Sequence, residues 1–245
     1  MRKLCKLLLG ALLLAAPVIA LAAAYAATDS FDTYSNGDLT GNNGGSGFSA
    51  GWSGNAAYDV QSSITFNATT KAVSVAGVGT ESITRAMSAG ADSGNLYFAI
   101  RKDGNDDQLT FDFKSGATLA GGVGLTHNSS TGVDLIVYGT AAETFTGLAQ
   151  NTWYIVNVEL LSATTFRARY KPAGGAYSAF SSTKTYLSSV SSPSTVQLRY
   201  SNDGGANPTF YFDELCTSDP ESSCTGTPAA APAVPITSLV KAFWH

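Results

Sequence analysis

Apolar and polar residues alternate with period two along most of this chain, and no stretch carries the 3.6-residue stripe of an amphipathic helix. Leu96-Tyr97-Phe98-Ala99-Ile100-Arg101 sets Leu96, Phe98 and Ile100 on one side of an extended backbone. Leu109-Thr110-Phe111-Asp112-Phe113-Lys114 does the same with Leu109, Phe111 and Phe113. Between them KDGNDD supplies Asp and Gly residues suited to a tight turn, so the two segments are expected to form a hairpin.

Further along, Tyr154, Val156, Val158 and Leu160 form an apolar row, with Asn157 and Glu159 opposite. Thr165 to Tyr170 alternates strictly before the turn Lys171-Pro172-Ala173-Gly174-Gly175, Thr195 to Tyr200 alternates again, and Phe210 to Leu215 closes the pattern. Shorter candidates lie at 30–34, 63–67, 72–76, 82–87, 122–127 and 133–138. About a dozen strands without intervening helices imply an all-β fold of two packed antiparallel sheets, a jelly-roll sandwich. An up-and-down barrel is the weaker alternative.

The two ends depart from this pattern. Arg2, Lys3 and Lys6 precede an apolar run from Leu7 to Ala24, and Ala24-Tyr25-Ala26 offers small residues where a signal peptidase reads, so cleavage is expected after Ala26. An uncleaved anchor is the alternative, against which Pro17 and the small residues after it argue. Residues 217–245 are rich in Pro, Ala, Ser and Thr and read as a linker-like tail, and the closing ITSLVKAFWH is too short to span a membrane. The domain is therefore expected at 27–216, secreted or at the cell surface.

Removing the leader changes the charge picture. The whole chain has 14 basic and 18 acidic residues, and the leader holds three of the basic ones, leaving a net charge near −7. So acidic a chain is a poor partner for nucleic acid, whose phosphates demand cations. Cys216 and Cys224 remain after processing, and in an oxidising compartment they are expected to pair, closing a short loop worth about 2.5 kcal/mol.

GDLTGNNGGSGFSAGWSG, from Gly37 to Gly54, is the densest glycine stretch. A phosphate-binding loop needs a lysine and a following helix, and no lysine stands between Lys6 and Lys71. The glycines are instead expected to bring backbone close to neighbouring strands, with Phe48 and Trp52 as buried anchors. Asp29-Ser30-Phe31-Asp32, this glycine stretch, Trp153 to Val158 and Phe210 to Leu215 together resemble bacterial secreted laminin-G-like domains of the concanavalin A-like lectin/glucanase superfamily. The resemblance implies a jelly roll, export and, in many members, glycan binding. It also implies one structural calcium ion, with Asp213 as the main carboxylate and Asp29 and Asp32 as helpers; hard calcium accepts carboxylate, carbonyl and water oxygens.

Candidate binding residues lie opposite the apolar rows. Arg101, Arg167, Arg169 and Arg199, with Gln197 and Tyr97, would form one cationic stripe for an acidic polysaccharide if their strands share a sheet. The plainer reading is outward arginines paired with neighbouring acids. The turn Asp103 to Asp107 lacks the sixth-position glycine and twelfth-position acid of an EF-hand. Catalysis has thin support: the Glu-x-Asp-x-x-Glu motif of glucanases is absent, Asp112 and Asp134 are isolated, and no Gly-x-Ser-x-Gly elbow occurs. Asp134 shares its segment with Tyr138, and a lyase would need a His and a Tyr, for which His127 is the only histidine apart from terminal His245. The sequence thus favours an exported, non-enzymatic carbohydrate-binding domain, with a polysaccharide hydrolase or lyase, or a purely structural envelope protein, as alternatives.

Overall fold

Side chains alternate along an extended backbone, so each segment with a period-two apolar row becomes a strand with one side to bury. The structure, a computed structural model, describes residues 27–66, 69–77, 79–104, 107–127, 132–202 and 209–221. The expected leader, most of the tail and Cys224 lie outside the described residues, so the expected disulfide does too; Cys216 is buried.

In chain order the strands are β1 (Gly37–Asp38), β2 (Ser53–Gly54), β3 (Tyr58–Gln61), β4 (Ala72–Val75) and β5 (Gly79–Ala86). They continue as β6 (Gly94–Asp103), β7 (Gln108–Ser115), β8 (Thr118–Thr126), β9 (Val133–Tyr138) and β10 (Ala142–Leu148). The last are β11 (Tyr154–Ser162), β12 (Thr165–Pro172), β13 (Lys184–Thr185), β14 (Thr195–Asn202) and β15 (Thr209–Cys216). One 3-10 turn, Leu187–Ser189, interrupts them, and no helix among the described residues is long and apolar enough to cross a membrane.

An eight-stranded sheet has the order β1-β3-β4-β15-β6-β11-β12-β13, and a seven-stranded sheet the order β10-β9-β8-β7-β14-β5-β2. All their pairings are antiparallel, which gives the jelly-roll sandwich that the alternation implies. The inward rows meet in one core. Phe98 and Phe212 of the larger sheet stack on Phe111 of the smaller, with centroids 4.8 and 5.7 Å apart, and all three rings are shut from water. Each buried ring contributes about 1.5–3 kcal/mol, so this stack is a main bond between the layers.

The expected hairpin at Asp103 is absent. β6 pairs with β11 and β15, whereas β7 pairs with β8 and β14, so the turn carries the chain from one sheet to the other. Turn residues reverse the chain in either case, and here the two segments meet through their apolar rows rather than their backbones. Residues 30–34 and 63–66 form turns and bends instead of the expected strands. Tyr34 N donates to Phe31 O at 3.0 Å, and the Gln61 side chain accepts from the amides of Ser63 and Ile64 at 2.6 and 3.0 Å.

The glycine stretch wraps a buried ion pair. Arg85 shares the inward parity of Ile83 on β5, so its guanidinium enters the interior and meets Asp29; both side chains are 1% exposed. Asp29 also accepts from the Phe31 amide (3.0 Å), the Tyr34 hydroxyl (2.6 Å) and the Trp52 indole (3.0 Å). Arg85 donates further to the carbonyls of Ala50 (2.9 Å) and Gly44 (2.6 Å) and to the Asn43 side chain (3.0 Å), under the Phe48 ring at 4.0 Å. Gly45 has φ +71° and a Cβ there would stand 2.1 Å from Thr28 O, so only glycine passes. The loop's carbonyls are turned inward, as ligands of its own arginine.

Removing one partner of a buried pair strands the other charge and costs about 3–5 kcal/mol. Arg85→Met is expected to lose about that much unfolding free energy in urea titration. Adding Asp29→Asn to it is expected to cost less than the sum of the two single changes. Strict additivity would mean that the two groups do not support each other.

Candidate functional site

The register of the seven-stranded sheet aligns its outward side chains in rows. One row runs Thr84 (β5), Gln197 (β14), Asp112 (β7), Gly122 (β8) and Tyr138 (β9). The next runs Ser82, Arg199, Thr110, Gly124 and Ile136. Although they point outward, Asp112 and Thr110 have no exposed surface and Gln197 is only 7% exposed.

The reason is a three-residue unit that closes over Asp112. Arg199 reaches diagonally across the strand pair and donates from Nε to Asp112 Oδ2 at 2.8 Å. Tyr138 lies two strands away and donates to Asp112 Oδ1 by a short hydrogen bond across Gly122. A Cβ on Gly122 would lie 2.8 Å from that same oxygen, so the bare backbone is what lets the phenol lie flat. Arg199 Nη2 completes the triangle to the Tyr138 hydroxyl at 3.1 Å. Among the described residues, Arg199 Nη1 meets no hydrogen-bond partner, and the side chain stays 29% exposed.

The electrostatics lock this arrangement. Burial, then the Asp112 charge, raises the Tyr138 phenol above its ordinary value, so it remains a neutral donor. Burial alone would lower Arg199, but Asp112 and Tyr138 outweigh it and hold the guanidinium charged. A tyrosine so raised is poorly suited to abstract a proton. His127 follows β8, five residues past Gly122, which faces Tyr138; at about 3.4 Å per residue the two stand about 18 Å apart. Asp134 faces Thr126, so it is offset from Asp112 by four residues and two strand spacings, about 17 Å. Glycosidase carboxylates stand about 5–9.5 Å apart. Neither catalytic pairing is assembled here.

The expected arginine stripe is divided between the sheets. Gln197 and Arg199 are on the seven-stranded face, whereas Arg101, Arg167, Arg169 and Tyr97 share the outward face of the eight-stranded sheet. The latter arginines are engaged internally. Arg101 pairs with Asp103 at 2.7 Å, and Arg167 pairs with Glu159 at 2.6 Å beneath Phe180. Arg169 donates to Asn157 at 3.0 Å and lies 4.4 Å from the rings of both Tyr177 and Phe180. Tyr97 packs beside Trp153 and Tyr177 on a small cluster of Phe66, Ala99 and Ile155. Asp112 and Tyr138 were visible in the sequence as isolated groups, and only the register brings them to Arg199.

No protein-family model and no curated protein matches this chain. Solved structures match its fold. A conserved carbohydrate esterase from the Shiga toxin-encoding bacteriophage phi24B aligns at 14% identity and TM-score 0.50, over 75% of this chain and all of that one. The β-glucanase of Bacillus licheniformis aligns at 10% identity and TM-score 0.45, over 75% and 97% of the two chains. A CBM66 carbohydrate-binding module from Bacillus subtilis aligns at 14% identity and TM-score 0.41, over 72% and 94%. The alignment with the phi24B protein agrees with the jelly-roll sandwich that the two antiparallel sheets form.

The carboxylates expected to hold calcium do not converge. Asp29 is committed to Arg85, and Asp32 accepts from Thr70 N (2.7 Å), Thr70 Oγ1 (3.0 Å) and Lys71 N (3.0 Å). Asp213 accepts from Phe66 N at 3.0 Å, Thr69 Oγ1 at 2.9 Å and Glu214 N at 2.8 Å. Burial raises Asp213 well above the usual carboxylate range, and burial together with the nearby Asp32 charge raises Glu214 to about 7. Among the described residues, no group of three or more acidic, His or Cys side chains could hold a metal. Calcium needs oxygens that offer lone pairs, and here N–H and O–H donors face each carboxylate. These three carboxylates are thus engaged by protein donors and do not gather at one centre among the described residues. EDTA is accordingly expected to leave the melting midpoint unchanged in differential scanning calorimetry; a fall that added calcium reverses would restore the ion.

Proposed function

We propose that this chain is an exported carbohydrate-binding domain without catalytic activity, and that the outward face of its seven-stranded sheet holds the glycan. The observation that carries this reading is the Asp112–Arg199–Tyr138 unit. It buries the carboxylate completely while leaving the Arg199 side chain 29% exposed and its Nη1 without a hydrogen-bond partner among the described residues. Such a unit presents fixed donors and a phenol ring, which suits hydroxyl-rich sugars, but holds no acid poised to protonate a leaving group. Gln197, next to Arg199 on β14, adds an amide that both donates and accepts. The leader-like N-terminus supports export, and the low density of charged residues suits neutral or weakly charged glycans.

The hydrolase and lyase readings have less to stand on. Each requires two groups close together, and the pairs offered by this face stand about 17 and 18 Å apart by strand geometry.

A glycan array probed with the exported protein tests the proposal. Binding is expected without release of reducing ends. Arg199→Lys keeps a positive charge against Asp112 but loses the planar fork, and is expected to weaken binding about tenfold while the protein stays folded. Silence across the array would leave a structural role, and steady release of sugar would establish a hydrolase.

A further inference from the structure

The eight-stranded sheet carries, at the end of β12, an anion site that the chain fills with its own residues. The Lys171 side chain is 8% exposed, and its ammonium meets Asp219 Oδ2 at 2.8 Å and Glu221 Oε2 at 2.7 Å. The other oxygen of Glu221 accepts from the Gly174 amide, so one carboxylate is gripped at both oxygens. Asp219 Oδ2 also accepts from the Tyr177 hydroxyl at 2.8 Å. Lys171 Nζ lies 4.7 Å from the Tyr177 ring centroid, and Arg169 lies 4.4 Å from it. Tyr97 and Trp153 border the same outward cluster, so partly buried rings adjoin the cations.

The two halves of this contact are anchored unequally. Lys171 belongs to β12, which is paired along its length with β11, and Tyr177 packs on the Phe66 cluster. The carboxylates come from 217–221, the sequence TSDPE after β15, which inserts no large apolar side chain. Asp219 and Glu221 remain 23% and 26% exposed. A preorganised cation thus holds two carboxylates of a tethered strap, and a free anion of the same shape competes for it against that high effective concentration.

We propose that Lys171, Tyr177 and the Gly174 amide form a carboxylate-binding site, filled at rest by Asp219 and Glu221, that takes a uronic-acid carboxylate of an acidic glycan when the strap is displaced. The two-oxygen grip on Glu221 fits a planar carboxylate, and the adjoining rings offer flat apolar surfaces to a sugar. This site is independent of the seven-stranded face.

Polygalacturonate binding, measured by titration calorimetry at low salt, tests it. The variant Asp219→Asn/Glu221→Gln is expected to bind about tenfold more tightly than the natural chain, because a competitor tethered by a few residues acts at high effective concentration. Lys171→Met in that background is expected to abolish the gain, and Arg199→Lys to leave it intact. In the natural chain, saturating polygalacturonate is expected to speed hydrogen–deuterium exchange across 217–221. The proposal is overturned if the double variant binds no more tightly, or if exchange across 217–221 does not move. It is also overturned if dextran sulfate of matched charge binds as tightly, which would mark a general cation patch. Should circular dichroism show the double variant unfolded, Glu221→Gln alone makes the same comparison.

Discussion

The buried pair of Arg85 and Asp29 ties together parts of this protein that the strands alone leave separate. Arg85 belongs to β5 of the seven-stranded sheet, while the Asp29 backbone bridges to Leu215 on β15 of the eight-stranded sheet, with N to O distances of 2.7 and 3.0 Å. One ion pair therefore links the two layers. It also organises the whole N-terminal region, since Tyr34, Asn43, Gly44, Ala50 and Trp52 all spend polar atoms on it. A guanidinium taken from water requires many acceptors, and a glycine-rich backbone supplies them because it can come close from several sides. Such a pair adds little net stability over an apolar replacement of the same shape, but it tolerates no partial loss.

The same logic, carried to the surface, pairs several charges of the two outward faces. Asp112 is satisfied by Arg199 and Tyr138, Glu159 by Arg167, and Asp103 by Arg101. On the seven-stranded face this fixes an arginine and a phenol in place while hiding the carboxylate, which is the opposite of what acid–base chemistry needs. On the eight-stranded face it sandwiches Arg169 between rings and ties the start of the tail to Lys171. The two outward faces thus differ in kind: one presents a rigid hydrogen-bonding surface, the other a cationic site already holding carboxylates.

Some of this was legible in the chain and some was not. The parity of each strand was: Leu96, Phe98, Ile100, Leu109, Phe111, Phe113, Val156 and Val158 all face the core. Arg85 and Lys102 were missed, although both occupy apolar parities, Arg85 with Ile83 and Lys102 with Phe98 and Ile100, and each is at most 2% exposed. A charge on an inward parity was the available signal, and it predicts a buried partner without identifying it. The turn at Asp103 was legible as a reversal but not as a crossing between sheets. β10 was passed over because its alternating positions, in Ala142-Glu143-Thr144-Phe145, carry a single large apolar residue.

By itself, the sequence determined that the chain forms strands, which side of each turns inward, and hence that two layers must close on one core. Those are consequences of a two-residue period, which is local and survives any arrangement of the strands. The tertiary structure decided which strands are neighbours, and with that which acid meets which base. Arg199 reaches Asp112 only because β14 lies beside β7, and the four arginines read as one stripe are divided because β14 joins the other sheet. Charges interact across strands over a few ångströms, and strand order is set by the packing of the whole core, a property that no single segment contains.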